Sequence, residues 1–201
     1  MPLVFSFLLA ITILSKYKFQ RWYGYLKPFL MIFIIAQPLL YSDSLNELFN
    51  KLIMVALIFS LAGDLFLLNH EKYFKHGLIS FLFAHVFYSV SFLLRTNNVS
   101  FILMLIYAGI LFLMLIIFRN GLNLSALSYL VVIILMGFLA GNTFFFERSS
   151  NSLLILAASL LFIVSDFTLA FNKFKNRFYM AEVIILSTYF IAQYLFAVST
   201  Y

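Results

Sequence analysis

The sequence predicts an all-α, polytopic membrane protein with about eight transmembrane helices, and three observations carry that prediction. Of its 201 residues, 65% are hydrophobic and 10% charged, with 27 Phe and a mean hydropathy of +1.07. So little polar surface does not solvate a globular fold. The apolar residues gather into runs of about 20, which cross the hydrocarbon at a helical rise of ~1.5 Å per residue. Charged residues fall between these runs or close to their ends, with two exceptions taken up below. The chain has no Cys, which excludes disulfides, thiolate catalysis and Cys-ligated metal. Its net charge of +6 does not mark a nucleic-acid binder. The basic residues sit at the ends of apolar segments, where Lys and Arg anchor and orient helices in a lipid bilayer.

In chain order, the first run, 2–15, is short for a span. Its basic residues Lys16, Lys18 and Arg21 follow the apolar stretch instead of preceding it, which argues for an anchor over a cleaved signal peptide. The second, 26–41, carries Pro28 and Pro38. The remaining spans are expected at 50–69, 75–95, 99–118, 122–142, 150–171 and 179–200. No soluble domain or linker is left over, so residues 1–201 are expected to form one transmembrane domain. Lys16, Lys18, Arg21, Lys27, Lys72, Lys75, Arg119, Lys173, Lys175 and Arg177 fall after spans one, three, five and seven. Only Lys51, Arg95 and Arg148 fall on the other side. The positive-inside rule then puts the first set in the cytoplasm and both termini outside. In a bacterium such helical spans imply the inner membrane, because outer-membrane spans are barrels.

The two exceptions are Asp64, inside FSLAGDLFLL (59–68), and Asp166, inside LFIVSDFTLA (161–170). An ionisable group in hydrocarbon costs at least ~2.5 kcal/mol and marks a functional site by default. Each Asp lies about five residues before the cytoplasmic end of its span, ~8 Å inside the boundary and at matching height. Each of these helices is followed by a basic loop and a helix with a polar centre. The first such helix holds His85 and Tyr88 in FLFAHVFYSV, the second Tyr189 and Gln193 in LSTYFIAQYL. AHVFY and AQYLF echo one another, which suggests two parallel four-helix halves, 1–97 and 98–201, with the Asp residues meeting near their interface.

Each of these residues also has a plainer reading. The Asp pair would cap or bond neighbouring helices, and His85 would be a buried imidazole satisfied by a carbonyl. Lys27, before Pro28 at the start of span two, reads more simply as a snorkelling anchor. Tyr129, Tyr189, Asn172 and Gln193 read equally as interhelical hydrogen-bonding residues. His70 and His76 flank a loop with Glu71, Lys72 and Lys75 and are expected to face water or headgroups.

Two carboxylates close together in a low dielectric do not both ionise readily, so one keeps a proton and the pocket holds an acid and a base. Hydrolysis of an ether, acetal or amide fits that pair, and so does proton-coupled transport. A phospholipid-like substrate would enter sideways, its head at the basic rim and its tail among Phe and Leu. A metal hydrolase is disfavoured, because no His cluster at ligand spacing reaches the depth of the Asp residues. An intramembrane aspartyl protease also pairs two Asp, but Leu61-Ala62-Gly63-Asp64 has Gly at only one of the two places in the GxGD pattern. A carrier with opposed halves would need broken helices, whereas these halves look parallel and Gly63, Gly109 and Gly137 are isolated.

Five segments in order resemble the lysoplasmalogenase (YhhN-like) membrane family. They are Lys27-Pro28, FSLAGDLFLL, GLISFLFAHVFY (77–88), VSDFTLAFNKF (164–174) and STYFIAQYL (187–195). The resemblance covers nearly the whole chain. It implies an eight-helix enzyme that hydrolyses the vinyl ether of lysoplasmalogens, lysophospholipids whose products would be a fatty aldehyde and glycerophosphoethanolamine or glycerophosphocholine. It carries the family's acids onto Asp64 and Asp166, its Lys-Pro onto Lys27 and its helix-four His onto His85. Where the family often has two adjacent Tyr, this chain has Tyr189-Phe190, so Phe190 has no hydroxyl role. The supporting set is then Lys27, His85, Tyr88, Tyr129, Asn172, Tyr189 and Gln193. Vinyl ether hydrolysis is limited by protonation of the β-carbon, which leaves an oxocarbenium ion. One neutral Asp would supply the proton, and the other, ionised, would stabilise the cation and activate water. Such chemistry calls for no metal or organic cofactor. Which Asp is the acid stays open. Lys27 would either hold the phosphate or keep one Asp ionised.

Overall fold

An apolar run in lipid must satisfy its own backbone, and a helix does so within a single segment. The computed structural model describes residues 1–41, 47–96, 98–119 and 124–201, the side chains of His70, Glu71 and Leu124 excepted. Among the described residues there are eight α-helices. They are α1 (Pro2–Lys18), α2 (Gln20–Tyr41), α3 (Leu48–Leu67), α4 (His70–Leu93), α5 (Phe101–Phe118), α6 (Leu124–Glu147), α7 (Ser150–Phe174) and α8 (Ala181–Val198). Seven of them, α2 to α8, are long and apolar enough to cross a membrane. At 17 residues, α1 is at the short end of the spanning range.

Three boundaries differ from the sequence expectation for reasons visible in the chain. α1 passes into α2 through Phe19 alone, so α2 begins six residues early and Pro28 and Pro38 lie inside it without ending it. α6 continues to Glu147 because that carboxylate is gripped by Arg95 at 2.8 and 2.9 Å, which carries the last turn out to the rim. α4 begins at His70 but leaves helical geometry at Tyr73 (φ −118°, ψ 16°). Its membrane-crossing part therefore starts close to the expected residue 75.

The helices α2, α3, α4, α6, α7 and α8 close a ring in that order, and α3 also touches α8. α1 lies outside this ring against α2 and α8, and α5 lies outside it against α6. α5 reads FILMLIYAGILFLMLIIF and buries only Tyr107, Met114 and Phe118, as expected of a helix that faces lipid. The interior is filled by one or more large side chains from each ring helix, among them Leu30, Leu57, Phe92, Met136, Phe162 and Phe196. Since lipid is as apolar as this core, close packing and hydrogen bonds hold the helices together. α3 packs closely on α4. A side-chain carbon on Gly63 would fall 2.8 Å from the Phe81 ring, and one on Gly77 would fall 2.8 Å from Leu67. The Ser80 hydroxyl donates to the Phe59 carbonyl at 2.8 Å across the same seam. α4 and α8 face each other through Phe81–Tyr189 (5.7 Å between ring centres) and Tyr88–Phe196 (4.1 Å). Both pairs have the same sequence offset, so the two helices run in the same direction.

One end of the bundle collects the basic loops, tied by Lys16–Glu182 at 3.4 Å and by Lys173 over the Phe74 ring. The other end is closed by Arg95–Glu147 and by the Asn50 amide donating to the Thr200 carbonyl at 3.3 Å. Lys27 corrects the loop assignment: it lies seven residues inside α2, 5% exposed, and is no snorkelling anchor. His76 is exposed beside the Phe66 and Tyr73 rings. The side chain of His70 lies outside the described set.

Candidate active site

Ser60, Gly63, Asp64 and Leu67 recur at helical spacing on the buried face of α3, which turns the Asp64 carboxylate inward. Asp64 is 1% exposed. Its Oδ1 is 3.0 Å from Lys27 Nζ on α2, and its Oδ2 accepts from the Tyr189 hydroxyl on α8 at 2.8 Å. Three helices therefore meet at one carboxylate. A buried ammonium and a buried carboxylate are each costly alone, so the two hold one another in place.

On α7, Asp166 takes different partners. The Tyr129 hydroxyl of α6 donates to its Oδ2. His85 Nε2 of α4 is 3.8 Å from the same oxygen, too far for a hydrogen bond. Among the described residues no Lys or Arg pairs with Asp166. Its side chain is 12% exposed and His85 is fully buried. The His85 ring sits edge-on to Tyr129 at 5.3 Å and to Phe162 at 4.6 Å. Phe162, one turn before Asp166 on α7, also meets the Tyr189 ring edge-on at 5.4 Å. Rings that attend the two carboxylates thus rest against one phenylalanine, in the edge-to-face geometry aromatic pairs prefer.

Both carboxylates line a single cavity of about 450 Å³, its open mouth included. Lys27, Phe81, Ser165, Leu169, Leu186 and Tyr189 share its wall. Tyr23 and Glu182, in the first turns of α2 and α8, carry the cavity toward the basic end of the bundle.

Of the supporting set, Lys27 and Tyr189 are on the cavity wall, and His85 and Tyr129 stand behind Asp166. Tyr88 and Gln193 lie elsewhere. The Tyr88 hydroxyl donates to Gln193 Oε1 at 2.6 Å, and both side chains are fully buried one turn beyond Tyr189. Asn172 accepts from the Phe178 backbone N–H at 3.2 Å and braces the α7–α8 connection, apart from the cavity. Sequence reasoning missed Tyr23, Phe162 and Glu182. Only Glu182 carried a signal, as a third carboxylate at the edge of the last apolar run.

Residues 22–200 match the model of the YhhN family. The chain belongs to the YhhN family. It is 34% identical over 161 residues to human lysoplasmalogenase TMEM86A, a match that takes in 73% of this chain and 64% of that protein. Bovine lysoplasmalogenase TMEM86A is 34% identical over 153 residues, with the same shares. The chain spans 64% of the length of these relatives. No solved structure matches it. Every residue of the two carboxylate clusters falls within the segment matched to the YhhN family, whereas Lys16 precedes it.

Proposed function

We propose that this YhhN-family protein hydrolyses the vinyl ether bond of a lysoplasmalogen, with Asp166 as the acid and Asp64 as the carboxylate base. The observation that carries the reading is that Asp64 and Asp166, about a hundred residues apart, line one cavity. The names of its relatives point to the same substrate. The unequal partners support these roles. Asp64 has the Lys27 ammonium at 3.0 Å, a partner suited to the carboxylate role. Asp166 has a phenol and an imidazole beside it but no cation, and is placed to hold a proton.

Asp166 delivers its proton to the β-carbon of the vinyl ether, and positive charge develops on the α-carbon and the ether oxygen. The Asp64 carboxylate, 1% exposed, faces that charge, and electrostatic stabilisation by a buried group is strong. Water then adds to the α-carbon as Asp64 takes its proton. In the hemiacetal, Asp64 returns that proton to the ether oxygen while Asp166 recovers one from the new hydroxyl. The C–O bond breaks, releasing a fatty aldehyde and the glycerophospho-alcohol. Both carboxyl groups are restored, and one water is consumed per turnover.

The neighbour order supports a further part of the proposal, that residues 1–97 and 98–201 are parallel halves. Asp64 on α3 is attended from α2 and α8, and Asp166 on α7 from α6 and α4, so exchanging the halves carries one cluster onto the other. The basic end of the bundle is proposed to face the cytoplasm, with both termini outside.

Purified protein in lipid nanodiscs, incubated with a lysoplasmalogen, is expected to release fatty aldehyde with one equivalent of glycerophospho-alcohol. An sn-1 acyl lysolipid run beside it should be left intact. Acyl cleavage with no aldehyde release would replace the ether hydrolase by a lysophospholipase.

A further inference from the structure

The chemistry above leaves one charged group on the cavity wall without a task. Glu182 lines the same cavity as both aspartates and pairs with Lys16 Nζ of α1 at 3.4 Å. The two side chains are 32% and 19% exposed, so the pair stands at the mouth, partly in water. The Lys16 ammonium is also 4.8 Å from the centre of the Tyr23 ring, and Tyr23 lines the cavity too. The entrance therefore presents one anion, one cation and an aromatic face. Their charges cancel, so the mouth has no net preference for a cationic or an anionic group. Half-exposed pairs of this kind are weak. A ligand carrying both charges can open the pair and satisfy each member with its opposite.

The depth of the pair selects among such ligands. Tyr189, the donor to Asp64, is seven residues from Glu182 on α8, ~10.5 Å along the helix axis. In a glycerophosphoethanolamine or glycerophosphocholine, nine bonds separate the sn-1 ether oxygen from the headgroup nitrogen. At the advance per bond of an extended chain that is ~11 Å. A vinyl ether at the carboxylates thus brings the headgroup nitrogen level with Glu182. The phosphate, about halfway along, falls where Lys16 reaches over Tyr23, one turn before Lys27.

We propose that Lys16, Glu182 and Tyr23 form the receptor for a zwitterionic phospholipid headgroup, Lys16 taking the phosphate and Glu182 the ethanolamine or choline nitrogen against the Tyr23 ring. The assignment rests on the lysoplasmalogenase reading and adds to it the residues that receive the headgroup. Aldehyde release is measured from an alkenyl glycerophosphocholine and from the alkenylglycerol that lacks the headgroup. Loss of one half-exposed charge-assisted contact is expected to raise KM for the first about tenfold in Glu182→Gln and in Lys16→Gln, with kcat within about twofold. KM for the alkenylglycerol should stay within about twofold of the parent protein. An equal loss on both substrates, or no change on either, overturns the headgroup site. A second measurement keeps it testable if the parent protein releases no aldehyde at all, which would sink the catalytic reading alone. Binding of a 1-alkyl glycerophosphocholine, which lacks the vinyl double bond, should weaken about tenfold in Glu182→Gln. Unchanged binding overturns the site.

Discussion

The two carboxylates occupy equivalent places in the helix order and have unlike company. Asp64 is 1% exposed, held by an ammonium at 3.0 Å and a phenol at 2.8 Å. Asp166 is more open to the cavity and has a phenol and a distant imidazole. A chain with two identical acid pockets would have no means of telling acid from base. In the proposed reaction one basic residue, Lys27, supplies the asymmetry, and Asp166 has the Tyr129 phenol in place of an ammonium.

Substituting the carboxylates themselves is the hardest test of this contrast. Asp64→Asn and Asp166→Asn should each lower kcat for aldehyde release by about 10³-fold, with unchanged helicity by circular dichroism. Substantial turnover in either would mean that one acid suffices. Next comes the ion pair. Lys27→Met strands the buried Asp64 carboxylate and should cost about 3–5 kcal/mol of stability in reversible unfolding. The same change made on top of Asp64→Asn should cost far less, because no charge is then left alone; equal costs in both backgrounds would break the pairing. The phenols sharpen the contrast further. Tyr129→Phe removes the hydrogen-bond donor from Asp166, whereas Tyr189→Phe leaves Asp64 with Lys27. Asp166 becomes a carboxylate as it delivers its proton, and loss of its bond to that developing charge is worth about 1.5–3 kcal/mol, so Tyr129→Phe should slow turnover more than Tyr189→Phe, which leaves Asp64 its ammonium. The reverse order in measured kcat would exchange the proposed roles. The smallest effect is expected away from both pockets. Tyr88→Phe breaks only the bond to Gln193 and should cost about 0.6 kcal/mol of stability, with aldehyde release within about twofold.

How much of this was legible in the sequence depended on whether each signal was local. A charge inside an apolar run has nowhere to hide, so Asp64 and Asp166 stood out from composition alone. Lys27 was misread because its helix starts at Gln20, where Arg21, Trp22 and Tyr25 look like a membrane-interface segment and mask two further helical turns. The sequence named Tyr88, Tyr129 and Tyr189 alike, and which of them meets a carboxylate was not available locally, since every Tyr in a span looks alike until the helices are packed. The same holds for spacing. Asp166 is followed after 23 residues by Tyr189, the α8 side chain that reaches the opposite carboxylate, whereas Gln193, 27 residues on, bonds to Tyr88. A longer connection between α7 and α8 than between α3 and α4 shifts that register. Eight helical segments were legible from hydropathy. That α5 stays outside the ring while α3 and α7 bring their carboxylates to one cavity was not, because every span is apolar enough to have taken either place.

The crossing of partners has a consequence for how the protein is made. Tyr189 reaches back to Asp64 from the last helix, and His85 reaches forward to Asp166 from the fourth, so neither pocket is complete within one half of the chain. During synthesis Lys27 and Asp64 enter the bilayer long before the phenol that joins them. A nascent chain stopped before α8 would carry both acids with the Asp166 cluster assembled but Asp64 still without its phenol, so the proposed activity should arise only when the final helix seats itself.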